Sequence, residues 1–66
     1  MPNTDLIKER MSEVGMSQAA LAKELGLAQP TMCQKINGIR PFFLDEAKKV
    51  AEIIHIPDGE FGKYFF

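Results

Sequence analysis

The sequence is poor in the residues on which most enzymes and metalloproteins depend. Its 66 residues include one cysteine, one histidine and no tryptophan. The single cysteine, Cys33, excludes an internal disulfide and indicates a reducing compartment such as the cytoplasm. Cys33 and the single histidine, His55, also fall short of the four ligands of a structural zinc site. We find neither a glycine-rich phosphate loop nor a nucleophile–base set. We therefore expect no enzyme activity, no cofactor and no small-molecule substrate.

Long apolar segments are also missing. No run approaches the roughly 20 apolar residues that cross a bilayer. The first residues lack the basic start and apolar stretch of a secretory signal. We therefore expect no membrane partner and a cytoplasmic location. A chain this short holds one hydrophobic core, so residues 1–66 are predicted to form one domain, and binding modules are the leading class.

The charge is low overall but unevenly distributed. The formal net charge is −1, which taken alone argues against a nucleic-acid partner. The middle of the chain, residues 25–44, carries Lys35 and Arg40 and no acidic residue, whereas the segments on both sides are acidic. A surface for an anionic partner is therefore expected in this middle third.

Apolar residues recur at helical spacing between turn signals, and strict alternation is absent. The pattern predicts four helices, at about 5–14, 18–25, 30–36 and 44–55, and one or two further helical turns in the tail at 57–66. Gly15 and Gly26 are expected to end the first two helices in the left-handed conformation. The inward stripe predicted for the fourth helix consists of Leu44, Ala47, Ala51 and Ile54, widened by Val50 and Ile53. The expected fold class is all-α, a small domain of four to five helices.

The most informative segment spans about residues 18–38 and reads helix, glycine turn, short helix. Ala22 is small enough for two helices to pass closely, and Gly26 permits the positive φ of a tight turn. Leu27 and Met32 are expected to fill the space between the helices. The arrangement follows the plan of a helix-turn-helix motif.

The segment and its surroundings, about residues 4–56, resemble the phage Cro and repressor (XRE-like) family. The matching positions are Ser17-Gln18, Leu21-Ala22, Gly26, Leu27, Met32, Asn37-Gly38, Arg40-Pro41 and Leu44-Asp45-Glu46-Ala47. The chain departs from the family at Ala28, where a Ser or Thr cap is usual, and at Lys35, where an apolar or aromatic residue is usual. The resemblance implies a lambda-repressor-like fold and a Cro-like repressor that binds a double-stranded operator, in a phage lysogeny switch within a bacterial or phage-infected cell.

Helix geometry indicates which side of the third helix faces outward. Met32 and Ile36 point toward the core, and Gln34 lies almost opposite them. Glutamine can bind adenine with two hydrogen bonds in the major groove. The resemblance implies that this helix, about residues 30–36, contacts bases through Gln29, Pro30, Thr31, Cys33 and Gln34. It also implies that phosphates are held by Gln18, Asn37 and Arg40. Lys35, which departs from the family pattern, is a further candidate for a phosphate contact.

Simpler roles for these residues stay open. Gln34 can be a solvated surface residue, and Arg40 an ordinary surface cation. Asn37 can serve first as a turn residue that tolerates positive φ. Lys35 can either approach a phosphate or extend past the core toward solvent. With so few cations, we expect a shallow salt dependence of DNA binding, with a slope of about −3 to −6 per dimer.

Aromatic residues are concentrated at the end of the chain: Phe61, Tyr64, Phe65 and Phe66. Exposing them to water costs up to about 1.5–3 kcal/mol each, so they pack either on the same domain or on a second copy. We expect a weak homodimer through the fourth helix and the tail, because two helices then reach successive major grooves about 34 Å apart. The alternative is an anti-repressor or antitoxin that acts mainly by binding another protein, such as a second repressor.

Overall fold

A computed structural model describes residues 2–66 and confirms the all-α fold. It contains five α-helices and one short 3₁₀ turn. The helices are α1 (Thr4–Val14), α2 (Gln18–Leu25), α3 (Gln29–Ile36), α4 (Leu44–Ile53) and α5 (Phe61–Phe65), and the 3₁₀ turn (Asp58–Glu60) precedes α5. The described residues form no strand.

Side-chain caps determine where the first two helices begin. The Asn3 side chain accepts the backbone N–H of Leu6 at 3.1 Å, and the Ser17 hydroxyl accepts that of Ala20 at 3.1 Å. These bonds satisfy backbone donors that have no partner within the helix. The predicted bounds of α2 are confirmed, whereas α1 and α3 each begin one residue earlier than expected.

Helices α1 to α4 all end in the same way, with one residue in the left-handed region. These residues are Gly15, Gly26, Gly38 and His55, with φ between 58° and 77°. In each case the next N–H reaches back to a carbonyl of the last turn, as in the bond from Leu27 N to Ala22 O at 2.9 Å. This is the Schellman arrangement, which glycine adopts most easily.

Two predictions about helix ends, the positive φ of Asn37 and the last residue of α4, are wrong. Asn37 does not take a positive φ; its φ is −88°, and the following Gly38 takes the left-handed conformation instead. Helix α4 ends at Ile53 rather than at 55, because His55 adopts φ 58° and breaks the helical path. His55 is the one non-glycine residue with a positive φ within residues 2–66.

One apolar cluster joins all five α-helices. Its fully buried members are Ile7, Leu21, Met32, Ile36, Val50 and Ile54. Helix α2 packs on α3 and α4, and α1 packs on α3 and α5. The predicted inward position of Leu44 is wrong, since 57% of that residue is exposed, and Val50 takes its place in the core. Leu44 lies in the first turn of α4 and lines a surface groove with Ala47 and Phe65.

Arg10 links α1 to the end of α4. Its Nε donates to the carbonyl of Ile54 at 2.9 Å, and one terminal nitrogen donates to the carbonyl of His55 at 2.8 Å. A cation at this position also complements the negative end of the helix dipole. None of the helices described here is both long enough and apolar enough to span a membrane.

Candidate nucleic-acid interface

The turn between α2 and α3 holds the two helices around shared apolar residues. Gly26 (φ 70°) ends α2, and Ala28 precedes α3 without a side-chain cap bond. Met32 is fully buried, and Leu27 packs against the core cluster, as the sequence predicted. Pro30 occupies the first turn of α3, where its missing N–H removes no helical hydrogen bond.

The predicted base-contacting residues lie away from the buried face of α3. Gln29 and Pro30 are exposed, and Thr31, Cys33 and Gln34 are half-buried. The buried face consists of Met32, Lys35 and Ile36. Within residues 2–66, no side-chain hydrogen bond engages the amides of Gln29 and Gln34, so these groups are available to an external partner.

Asn37, predicted to hold a phosphate, is exposed but makes a local contact. Its amide nitrogen donates to the carbonyl of Cys33 at 2.8 Å and lies 3.3 Å from the Cys33 sulfur. The side chain therefore covers the last turn of α3. Both contacts use the amide nitrogen, and neither uses the amide oxygen.

The prediction that Lys35 holds a phosphate is wrong, because its ammonium group is bound by other residues of the same chain. The residue is 5% exposed. Its Nζ donates to Glu46 Oε1 at 2.6 Å and to the carbonyl of Pro41 at 3.1 Å, and it lies 4.5 Å from the centre of the Phe43 ring. An ammonium group with these three partners is not free to bind a phosphate, so Lys35 is not one of the candidate phosphate-contacting residues.

The Lys35–Glu46 pair joins α3 to the start of α4. Glu46 Oε1 also accepts the backbone N–H of Phe43 at 2.9 Å, which caps the first turn of α4. The side chains of Lys35 and Glu46 are 6% and 15% exposed. Both charges are thus largely removed from water and depend on each other. From the sequence, Glu46 was expected only as part of the Leu44–Ala47 match, and its pairing with Lys35 was not predicted.

Two shallow grooves contain the remaining predicted phosphate-contacting residues. Arg40 is exposed and lines a groove of about 290 Å³ together with Thr31 and Phe43. Gln18, at the start of α2, lines a separate groove of about 210 Å³ that also contains Lys8. The structure therefore brings Arg40 beside α3 and adds Lys8, which the sequence analysis missed because it belongs to α1, outside the motif.

The aromatic tail packs mainly on its own domain. Tyr64 and Phe65 are 8% and 6% exposed, and the carbonyl of Tyr64 accepts the N–H of Asn3 at 2.7 Å. The Phe65 ring lies between Phe42 and Phe61, with centroid distances of 5.5 and 4.9 Å. The assignment of Tyr64 and Phe65 to a dimer surface is therefore wrong, because both residues are part of the core.

Phe61 is half-buried beside Phe65, and Phe66 remains 78% exposed. Of the four predicted dimerisation residues, Phe66 alone presents most of its surface to solvent. It borders a groove of about 320 Å³ that Leu44 and Phe42 also line.

Comparisons with protein-family models, curated proteins and solved structures found no match to this chain. Residues 2–66 contain no group of three or more His, Cys, Asp or Glu side chains that could hold a metal ion.

Proposed function

We propose that this chain is a sequence-specific DNA-binding regulator, a Cro-like repressor, that places α3 in the major groove of an operator. One observation carries the proposal. Helix α3 buries Met32 and Ile36 completely while it leaves the amides of Gln29 and Gln34 unengaged on the outer side. An outward face of amide, hydroxyl and small apolar groups is suited to base edges and thymine methyl groups.

The base contacts in this proposal come from the outer side of α3. Gln29 and Gln34 bind adenine edges, and Pro30, Thr31 and Cys33 contribute smaller contacts to neighbouring bases. Each glutamine that makes two hydrogen bonds discriminates by about 1–3 kcal/mol against the wrong base.

Phosphate contacts in the proposal come from Arg40, Asn37 and Gln18, with Lys8 as an added cation. Gln18 lies in the first turn of α2, where free backbone N–H groups favour an anion. Because Lys35 is paired with Glu46, Arg40 and Lys8 are the two cations that each chain contributes. A dimer then neutralises four phosphates. The salt slope of binding is then about −3.6 per dimer, near the shallow end of the range expected from the sequence.

The proposed operator complex is a homodimer, with the exposed Phe66 at the contact between copies. Phe66 stands beside the groove that Leu44 and Phe42 line. A two-fold axis close to Phe66 lets each copy place this ring in the groove of the other, as an isologous interface requires. Sedimentation equilibrium of the wild type and of Phe66→Ala measures this contact; an unchanged dimer in the variant contradicts it.

A second candidate function is that of an anti-repressor or antitoxin. The exposure of large apolar side chains favours it: Ile39 is 73%, Leu44 57% and Phe66 78% exposed. Exposed apolar patches often mark protein-binding surfaces. Replacement of Gln29 and Gln34 by alanine separates the two functions. Lost operator binding together with lost regulation supports the repressor, and unchanged regulation supports action on another protein.

The direct test of the proposed function is selection of bound duplexes from a random pool. The proposal predicts an enriched, approximately palindromic sequence whose half-sites lie about one helical turn apart. A pool that shows no enrichment after repeated rounds contradicts it. The expectations of a cytoplasmic location, no cofactor and no enzyme activity remain part of the proposal.

A further inference from the structure

The groove between α3 and the segment that follows it is lined by residues of different chemistry. Its lining consists of Leu27 from the turn before α3, Thr31 and Lys35 from α3, and Arg40, Pro41, Phe43 and Glu46 from the segment after it and the start of α4. Phe43 is 65% exposed, and Arg40 takes part in neither of the ion pairs formed within residues 2–66. Thr31 belongs to the set proposed to face bases, so this groove borders the proposed DNA-facing side of α3.

The segment 40–43 is fixed to α3 at both of its ends. At its start, the carbonyl of Gln34 accepts the N–H groups of residues 39 and 40 at 2.8 and 3.2 Å. At its end, the Lys35 ammonium contacts the Pro41 carbonyl and the Phe43 ring, and Glu46 receives both Lys35 and the Phe43 N–H. Phe43 is therefore held beside α3 although it stays exposed, and the backbone N–H of Arg40 is bonded to the last turn of the same helix.

We propose that residues 40–43 form a second DNA-contacting element in which Arg40 binds a phosphate and the Phe43 ring packs on the adjoining deoxyribose. Lys35 is its positioning residue. The inference rests on the proposed function. A guanidinium next to an exposed ring matches the alternation of anionic phosphate and apolar sugar along one strand. Because sugars and phosphates are the same at every base pair, this element adds affinity without adding sequence preference.

The test compares Phe43→Ala with the matched control Ile39→Ala, which also removes an exposed apolar side chain from the same loop. Binding is measured by anisotropy on a duplex selected from the random pool and on a scrambled duplex of equal composition. Phe43→Ala is expected to weaken binding to both duplexes by about eightfold, the change that covering on the order of 50 Å² of ring surface gives. Ile39→Ala is expected to change neither by more than about twofold.

Two results overturn the proposal. If Phe43→Ala leaves both affinities unchanged, the ring does not contribute to DNA binding. If Ile39→Ala weakens binding as much as Phe43→Ala does, the loss reflects general disturbance of the loop. Failure of the wild-type chain to bind either duplex rejects the proposed function itself, and the two failures are therefore distinguishable.

The positioning role of Lys35 is tested by coupling. Lys35→Met keeps the apolar stem of the side chain and removes the ammonium group that holds the ring. In this background Phe43→Ala is expected to cost less than about twofold, because the ring is no longer held against the sugar. If the losses of DNA affinity from Lys35→Met and Phe43→Ala add in the double variant, Lys35 does not position the ring. Should Lys35→Met fail to fold, the comparison of Phe43→Ala with Ile39→Ala decides the proposal alone.

Discussion

The Lys35–Glu46 pair offers a quantitative test of the way α3 is held against α4. In the Glu46→Ala variant, the Lys35 ammonium loses its carboxylate partner, 2.6 Å away, and the Phe43 N–H loses its acceptor. Removal of one member of a buried pair costs about 3–5 kcal/mol. Lys35 keeps the Pro41 carbonyl and the Phe43 ring, and Glu46 is close to the surface. We therefore expect a loss of about 2–3 kcal/mol.

This loss is large for so small a domain, whose total free energy of unfolding is about 3–10 kcal/mol by the usual per-residue range. Urea unfolding followed by far-ultraviolet circular dichroism measures it directly, since the chain has no tryptophan. The matched control is Asp45→Ala, which removes a neighbouring exposed carboxylate of the same helical turn and should cost at most about 1 kcal/mol. If Glu46→Ala costs no more than Asp45→Ala, the pair does not contribute as argued.

A double variant tests whether the loss comes from leaving the Lys35 charge without a partner. In Lys35→Met with Glu46→Leu, both charges are replaced by apolar groups of similar size. Such replacement of a buried ion pair is often neutral or stabilising, so this double variant should be more stable than Glu46→Ala. A double variant that is less stable than Glu46→Ala contradicts the reasoning that the isolated ammonium causes the loss.

Three further predictions concern helix ends and are checked by the same urea unfolding. His55→Gly should stabilise the domain by about 0.5–1 kcal/mol, because the left-handed conformation strains a side chain and suits glycine; a loss of stability contradicts this. Gly26→Ala should cost about 1–2 kcal/mol through φ alone, since its added Cβ meets no atom within 4 Å, whereas Gly62→Ala, without positive φ, should not destabilise. Arg10→Ala should cost about 1.5–3 kcal/mol through its bonds to the end of α4, against at most about 0.5 kcal/mol for the exposed Glu13→Ala. Equal losses for these last two contradict the capping role of Arg10.

The local features of this chain could be predicted from its sequence. Ser17 and Gly26 bound α2 through caps that act over a few residues, and both positions are confirmed. The buried Met32 and Ile36 follow from helical spacing, because residues four apart share one face of a helix. These predictions succeed because each depends on one helix and its immediate neighbours.

The features that depend on the path of loops could not be predicted. Lys35 lies on the flank of α3, and whether a flank is buried depends on the segment that folds over it. The spacing that placed Leu44 inward did not show that no other segment covers this residue, which stays exposed. His55 takes the left-handed conformation that ends α4, and its carbonyl accepts a hydrogen bond from Arg10, 45 residues away in the sequence. For the candidate site, this means that the outward face of α3 was predictable, whereas the surroundings proposed to contact phosphates were not.

The central claim is that the outer amides of α3 read base sequence. The most direct measurement is the ratio of affinities for the selected duplex and its scrambled counterpart, in the wild type and in the Gln29→Ala, Gln34→Ala double variant. The account predicts a wild-type ratio of about 10³ or more that falls by at least about tenfold in the variant, with little change in scrambled-duplex binding. A wild-type ratio near one, or an equal ratio in the variant, would contradict it.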